Sequence, residues 1–191
     1  MQAALELFAE RGFHGTSVPM VLERAGVGAS SLYRRFGSKE ALVNAVFREA
    51  KQRLAAALAG LDLQQPPREL FADFWQRLSG FARQDPVAFH FLELQDHAPY
   101  LDSESRALEL GVLAPIYLAC LDFQRQGVFR KDLPAETIIA LVWGAFVGLF
   151  KAERTHSVAV TNEALEGARE ACWRAFAISA AGNDSAESNR K

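Results

Sequence analysis

Apolar residues recur through the chain at spacings of three and four, which is the period of an amphipathic α-helix. No stretch alternates apolar and polar residues with the period of two that a half-buried strand requires. The pattern therefore predicts an all-α protein of about nine helices.

The first 50 residues are predicted to form three short helices and to begin a longer fourth one. The residues that start or stop these helices are Gly12, Thr16 or Ser17, Gly26, Gly28, Gly37 and Ser38. Two short helices joined by a tight glycine turn are typical of a helix-turn-helix, whose second helix enters the major groove of DNA.

Residues 51–180 are predicted to form a second, helical domain. Near its start, a Gln-Gln-Pro-Pro run within residues 60–67 interrupts the helical pattern and marks the joint between the head and the body. Pro115 is expected to kink or divide the helix of residues 103–126, while Pro134 and Thr161 open the last two helices. Residues 181–191 are small and polar, and we expect a disordered tail there.

Composition is that of a soluble globular protein, with 50% hydrophobic and 23% charged residues. The longest strongly apolar stretch, residues 138–150, is shorter than the roughly 20 residues needed to cross a bilayer. We therefore expect no membrane association. Charged residues interrupt the first turns, so secretion is not expected either, and we expect a cytoplasmic location. Cys120 and Cys172 are far apart without a CxxC spacing, which predicts two small core residues and no disulfide or zinc site.

Charge is distributed unevenly along the chain. Residues 1–53 contain eight Lys and Arg against five Glu, a balance of +3, while the whole chain has a net charge of −2. A basic head on an acidic body suits a protein that meets phosphate with one end only.

The predicted third helix carries the residue types that groove entry requires. Small and hydroxylated residues stand at its start, apolar Leu32 and Phe36 face inward, and basic residues follow toward its end. The alternative, in which Tyr33-Arg34-Arg35 is only a solvated helix end, stays open on this pattern alone. The candidate DNA-contacting residues are Thr16, Ala29, Ser30, Ser31, Tyr33, Arg34, Arg35 and Lys39.

Residues 4–42 resemble the DNA-binding domain of the TetR family of bacterial repressors. The matching motifs are LFAERGF at 7–13, TSV at 16–18, AGV at 25–27 and LYRRFGSKEAL at 32–42. The resemblance implies that Thr16, Tyr33 and Lys39 contact phosphates, and that Ala29, Ser30, Ser31 and Arg34 lie nearest the bases. Gly28 departs from the usual Ser cap, and Met1 falls within the first helix without a basic arm, so we expect a truncated start or fewer phosphate contacts.

Residues 126–149 resemble the family segment that leads into a helix commonly used for dimerisation. Gly144 and Gly148 lie four apart on one face, where they allow another helix to approach closely. Burial within one subunit is the alternative, although a helix that is apolar nearly all round needs partners on both sides. The candidate dimer residues are Trp143, Gly144, Val147, Gly148, Phe150, Ala168, Cys172 and Phe176.

A ligand pocket is predicted from the many aromatic residues of the second domain, with ordinary core packing as the alternative. The candidate ligand-binding residues are Phe71, Phe74, Trp75, Leu78, Phe89, Leu92, Glu93, His97, Tyr100, Tyr117 and Phe146. His90, Glu93, Asp96 and His97 also fall at helical spacings, but without further His or Cys they favour a hydrogen-bonded pocket rim over a metal site.

Together with the family resemblance, which alone implies repression rather than activation, the sequence predicts a ligand-responsive transcriptional repressor. It would bind a pseudo-palindromic, double-stranded operator as a homodimer and be released by a small apolar or amphipathic molecule. No nucleotide-binding or nucleophile motif is present, so we expect neither an enzyme nor a cofactor. The alternative is a helical interaction module that has lost DNA binding.

Overall fold

The computed structural model describes residues 1–28 and 34–178, and the described chain is helical, which confirms the all-α prediction. No strand occurs in these ranges, apart from an isolated antiparallel bridge between Phe129 and Ala177. Residues 34–36 are helical, and the longer helices are α1 (Gln2–Gly15), α2 (Val18–Ala25), α3 (Lys39–Leu58), α4 (Pro67–Gln84), α5 (Pro86–Leu94), α6 (Ser103–Arg125), α7 (Ala135–Arg154) and α8 (Asn162–Phe176). The expected disordered tail, residues 181–191, lies outside the described residues.

Short polar side chains begin four of these helices. Ser17, Ser38, Asp85 and Thr161 each accept a hydrogen bond from a backbone N–H of the first turn of α2, α3, α5 and α8, respectively. Between the two residues expected to cap α2, the structure therefore selects Ser17. Gly12, the expected end of α1, has a φ of 67° and interrupts the helix, which resumes as far as Gly15.

The chain forms two compact units by its internal contacts. One consists of Met1–Leu63 with Asp73–Ala114, and the other of Gln64–Ala72 with the chain from Pro115 onward. Helix α3 runs without a break through residue 50. The domain boundary predicted at that position stays a prediction. Pro115 does not divide α6, which is continuous over 23 residues, and this part of the expectation was wrong.

In the first unit, α1 packs against α2, α3 and α5, and α3 also packs against α5. The core is aromatic and aliphatic, and Phe8, Phe47 and Phe91 are each no more than 1% exposed. Helix α3, which begins within the predicted DNA-binding domain, is therefore anchored to α5 by the same core.

In the second unit, α7 packs against α8. Phe176, at the end of α8, is 1% exposed, and its ring lies 4.7 Å from that of Phe129 and 5.4 Å from that of Phe71. The backbone N–H of Arg130 donates to the carbonyl of Phe176, which fixes the end of α8 to the turn before α7.

Two helices are long and apolar enough to span a membrane by length and composition alone. They are α6, with a mean hydropathy of 1.4, and α7, with 1.6. Only 6% of the apolar window of α6 and 28% of that of α7 are buried within the subunit. Apolar faces that are left this open on a subunit are typical of contact surfaces.

Candidate DNA-binding interface

The candidate DNA-binding surface includes α2 and residues 34–36. Gly26 ends α2 in the left-handed conformation, with a φ of 65°, and Gly37 has a φ of 75°, so a glycine stands on each side of the predicted recognition helix. Arg34 and Arg35 are both exposed. The other predicted contacts on this helix, Ala29, Ser30, Ser31 and Tyr33, lie outside the described residues.

The basic residues of the head differ in whether they have a carboxylate partner. Four of them do, in the pairs Arg24–Glu10 at 2.9 Å, Arg48–Asp102 at 3.0 Å, Lys51–Glu109 at 3.5 Å and Arg53–Asp85 at 3.1 Å. Within residues 1–28 and 34–178, no carboxylate lies at ion-pair distance from Arg34, Arg35 or Lys39. These three cations, clustered where the recognition helix ends and α3 begins, can be satisfied by phosphate oxygens.

Thr16 occupies a different place from the one expected of a phosphate contact. Its side chain is 1% exposed, and its hydroxyl lies 3.0 Å from the carbonyl of Leu7 and 2.9 Å from that of Gly12. The hydroxyl is therefore used inside the protein, to fix the corner between α1 and α2. The Thr16 hydroxyl is therefore not available to a phosphate in this structure, and a phosphate contact by Thr16 stays a prediction, while the neighbouring Ser17 is exposed.

Lys39 is held by an aromatic pair. Its Nζ lies over the ring of Phe13, 4.2 Å from the ring centroid, and makes a cation–π contact with it. The ring of Phe13 in turn stacks on that of Tyr100, with centroids 4.5 Å apart and planes inclined by 26°. Tyr100, expected to contact a ligand, thus packs against the DNA-binding head.

Asn44 joins α3 to the turn that contains Tyr100. Its Nδ2 donates to the carbonyls of Glu40 and Tyr100, at 2.9 and 2.8 Å, and its Oδ1 accepts from the N–H of Asp102 at 2.9 Å. The side chain is 2% exposed, so these bonds satisfy backbone groups away from solvent. No sequence pattern singled out Asn44, because two of its three partners, Tyr100 and Asp102, lie more than 50 residues away.

His97 lies beneath this turn, with both ring nitrogens hydrogen-bonded. Nε2 is 2.6 Å from the carbonyl of Phe91, and Nδ1 is 2.6 Å from the hydroxyl of Tyr100. Since a carbonyl can only accept, Nε2 carries the proton, and in the neutral ring Nδ1 accepts from the hydroxyl. Burial raises the pKa of Tyr100 to about 12, so the phenol keeps its proton.

We expect His97 to make the first unit less stable in acid. Burial lowers the pKa of His97, and the nearby charge of Lys51 lowers it further, against the hydrogen bond to the Phe91 carbonyl and the carboxylates of Glu109 and Asp96, which raise it. A pKa that is lower in the folded state contributes stability above the unfolded value of about 6.5, and this stability is lost as the pH falls below it, at about 1.4 kcal/mol per unit of difference. The urea midpoint should therefore fall between pH 7.5 and 5.0, and it should fall less in His97→Gln. An equal fall in both proteins would contradict the assignment.

Both parts of the chain match described protein families. Residues 1–46 match bacterial regulatory proteins of the tetR family, and residues 47–178 match the tetracyclin repressor-like C-terminal domain. The chain belongs to the TetR family. TetR proteins are DNA-binding transcriptional regulators with a helix-turn-helix, and the family is not one of enzymes. The family assignment made from motifs is confirmed.

Individual TetR relatives agree with this assignment. HTH-type transcriptional repressor KstR2 of Rhodococcus jostii is 29% identical over 150 residues, which are 71% of this chain and 69% of KstR2. HTH-type transcriptional regulator RutR of Escherichia coli is 47% identical over 106 residues, so the match spans 54% of this chain and 50% of RutR. A TetR family regulator from Marinobacter aquaeolei has the same fold, with a TM-score of 0.81 at 24% identity over 93% of each chain.

The candidate ligand-binding residues are divided between the two compact units. Those of the first unit are Phe74, Trp75, Leu78, Phe89, Leu92, Glu93, His97 and Tyr100. Leu78 is 0% exposed, and Glu93 lies 3.8 Å from Lys51, with side-chain exposures of 7% and 6%. Their contact with a ligand stays a prediction.

Three predicted ligand residues belong to the second unit. Phe71 packs on Phe176, Phe146 is 0% exposed, and the Tyr117 hydroxyl donates to Glu136 at 3.1 Å. In this arrangement Phe71 contributes to the packing of α8.

The residues predicted for the dimer interface do not all face outward. On α7, Gly144 and Gly148 are exposed, Trp143 and Val147 are half-buried, and Phe150 packs on Phe146 with ring centroids 5.0 Å apart. On α8, Ala168 and Cys172 are half-buried, while Phe176 lies in the core of its own unit. Phe176 is therefore removed from the candidate interface. Leu141, Gly167 and Ala171 are further exposed apolar or small residues of these two helices, which the sequence pattern did not single out.

Proposed function

We propose that this TetR-family regulator is a cytoplasmic repressor that binds a pseudo-palindromic operator as a homodimer. The observation that carries DNA binding is the cluster of Arg34, Arg35 and Lys39, whose cations have no carboxylate partner in the described chain although other head cations do. Phosphate contacts by such side chains supply most of the salt-dependent affinity of a protein for DNA.

Dimerisation is supported by the open faces of α7 and α8. Leu141 is 48% exposed, and Gly144 and Gly148 continue its face with no atom within 4 Å of an added Cβ. Gly167 and Ala171 form a comparable small-residue face on α8. Two such helices from each subunit make a four-helix interface, which would hold two recognition helices about 34 Å apart, one turn of the duplex.

Release of the repressor from DNA is proposed to follow from the binding of a ligand in the helical body. A small, largely apolar molecule would favour a conformation that spoils the spacing of the two heads. A coupling free energy of about 1–3 kcal/mol would weaken operator binding roughly 5- to 150-fold. The alternative function, an interaction module without DNA binding, is favoured by Gly28 in place of the usual cap.

Substituting the head cations tests the proposal. The probe is the duplex immediately upstream of the regulator's own gene, titrated by fluorescence anisotropy at several salt concentrations. We expect Arg34→Ala to weaken binding by about 1–3 kcal/mol, and Lys39→Ala to reduce the slope of log K against log salt by about 0.9.

Lys131→Ala is the matched control, because Lys131 is an exposed cation of the second unit. Its affinity and salt slope should equal those of the wild type. A folded dimer that shows no binding at low salt would support the interaction module instead. Higher expression from the upstream promoter after deletion of the gene would support repression.

A further inference from the structure

We propose that Tyr100 is a positioning residue for DNA binding, whose ring, stacked on Phe13, holds the amine of Lys39 at the surface that operator phosphates approach. This inference rests on the proposed function and gives Tyr100 a role beyond the ligand contact expected of it. It concerns residues of the first unit only.

The geometry places the three side chains in one sequence of contacts. Lys39 is the first residue of α3, and its Nζ lies 4.2 Å from the Phe13 ring centroid. Phe13 follows the non-helical Gly12, so the chain turns just before it, and its ring stacks on Tyr100 at 4.5 Å. The ring of Phe8 is farther, at 6.3 Å, so Tyr100 provides the closer aromatic support.

Tyr100 is itself fixed at both ends. Its hydroxyl bonds to Nδ1 of His97 at 2.6 Å, and its carbonyl accepts from Asn44 at 2.8 Å. His97 is 8% exposed, and its ring lies 4.6 Å from that of Phe91, in the core between α1 and α5. The ring that supports Phe13 is therefore tied to rigid parts of the unit.

Fixing Lys39 affects DNA affinity through the conformational freedom of its side chain. A free lysine has four rotatable side-chain bonds and loses that freedom when its amine meets a phosphate. A lysine whose amine already lies over a ring has lost much of its conformational freedom before binding, so its phosphate contact is formed at a smaller entropic cost. Removing the Tyr100 ring would leave one face of Phe13 bare and release the amine.

A double-mutant cycle tests this inference. We expect Tyr100→Leu to weaken operator binding about two- to fivefold and to lower the salt slope toward that of Lys39→Ala. In the Lys39→Ala background the same substitution should have no further effect. Tyr100→Phe keeps the ring and the backbone bond to Asn44 and loses only the hydroxyl bond to His97, so it should reduce the affinity and slope less than Tyr100→Leu does.

A second variant and a DNA-free measurement guard against loss of fold. Phe13→Leu should reproduce the effect of Tyr100→Leu, because both remove the aromatic support. In protein with 13C-dimethylated lysines, the Lys39 methyl resonance should be shifted upfield by the Phe13 ring in the wild type and in Tyr100→Phe. In Tyr100→Leu this shift should shrink.

The possible failures are distinguishable. If Tyr100→Leu weakens binding equally with and without Lys39, its role is structural and the inference is wrong. If Tyr100→Leu tightens binding, the rings withhold Lys39 from DNA, which also overturns it. If the salt slope depends on Lys39 but does not change in Tyr100→Leu, only this inference is wrong. If the wild type binds no operator, the proposed function is wrong as well.

Discussion

Gly148→Leu is expected to convert the proposed dimer to a folded monomer and to abolish operator binding. Gly148 is exposed on α7, and no atom lies within 4 Å of a Cβ built there. Within one subunit, replacing an exposed helical glycine should stabilise the helix by roughly 1 kcal/mol. In a two-fold interface of closely packed helices, the added side chain is repeated in both subunits and costs about 1–3 kcal/mol at each.

Sedimentation velocity and anisotropy on the operator measure the two consequences together. Gly111→Leu is the matched control, because Gly111 is also an exposed helical glycine with nothing near an added Cβ, but on α6. It should leave both the dimer and DNA binding intact, and loss of the dimer in Gly111→Leu would instead place the interface on the open apolar face of α6. A Gly148→Leu protein that still dimerises with wild-type affinity would show that this face of α7 is not the interface.

Local signals in the sequence were enough to predict most helix ends. Ser38, Thr161 and Gly26 act through neighbouring backbone groups, so their effect can be inferred from a few consecutive residues. Thr16 and Ser17 could not be separated in this way. What distinguishes them is that the Thr16 hydroxyl lies 3.0 Å from the carbonyl of Leu7, nine residues earlier on α1, the helix that Thr16 ends.

The exposed side of α8 shows a limit of hydrophobic periodicity. Leu165 and Phe176 follow the apolar period, and both are buried within the subunit. The side left open carries Gly167 and Ala171, whose small side chains contribute little to an apolar pattern. Periodicity thus finds the face that packs within the subunit, while the face suited to a second copy is defined by residue size.

The roles of the aromatic residues depend on contacts between distant parts of the chain. Tyr100 stacks on Phe13, and Phe71 packs on Phe176, pairs that no local window contains. Counting aromatic residues predicted a pocket, but it could not tell which rings support the head or the end of α8. Their assignment required the fold.

Lys51→Met is expected to lower the free energy of unfolding by about 3–5 kcal/mol, the usual cost of removing one member of a buried ion pair. The Lys51 side chain is 6% exposed and its Nζ lies 3.8 Å from Glu93, which is 7% exposed, and 3.5 Å from Glu109. Without the amine, the carboxylates of Glu93 and Glu109 repel each other, and that of Glu93 has almost no access to water. Urea unfolding followed by circular dichroism measures the loss.

Arg125→Met provides the control, because it breaks an exposed ion pair whose charged atoms lie closer together than those of Lys51 and Glu93. Arg125 lies 2.8 Å from Asp122, and their side chains are 77% and 46% exposed, so its loss should cost less than about 1 kcal/mol. The double variant Lys51→Met with Glu93→Met removes the buried charge along with its partner, and it should recover most of the stability. If Lys51→Met costs no more than Arg125→Met, water reaches the Lys51 site and the pair does not stabilise the junction of α3 with α5.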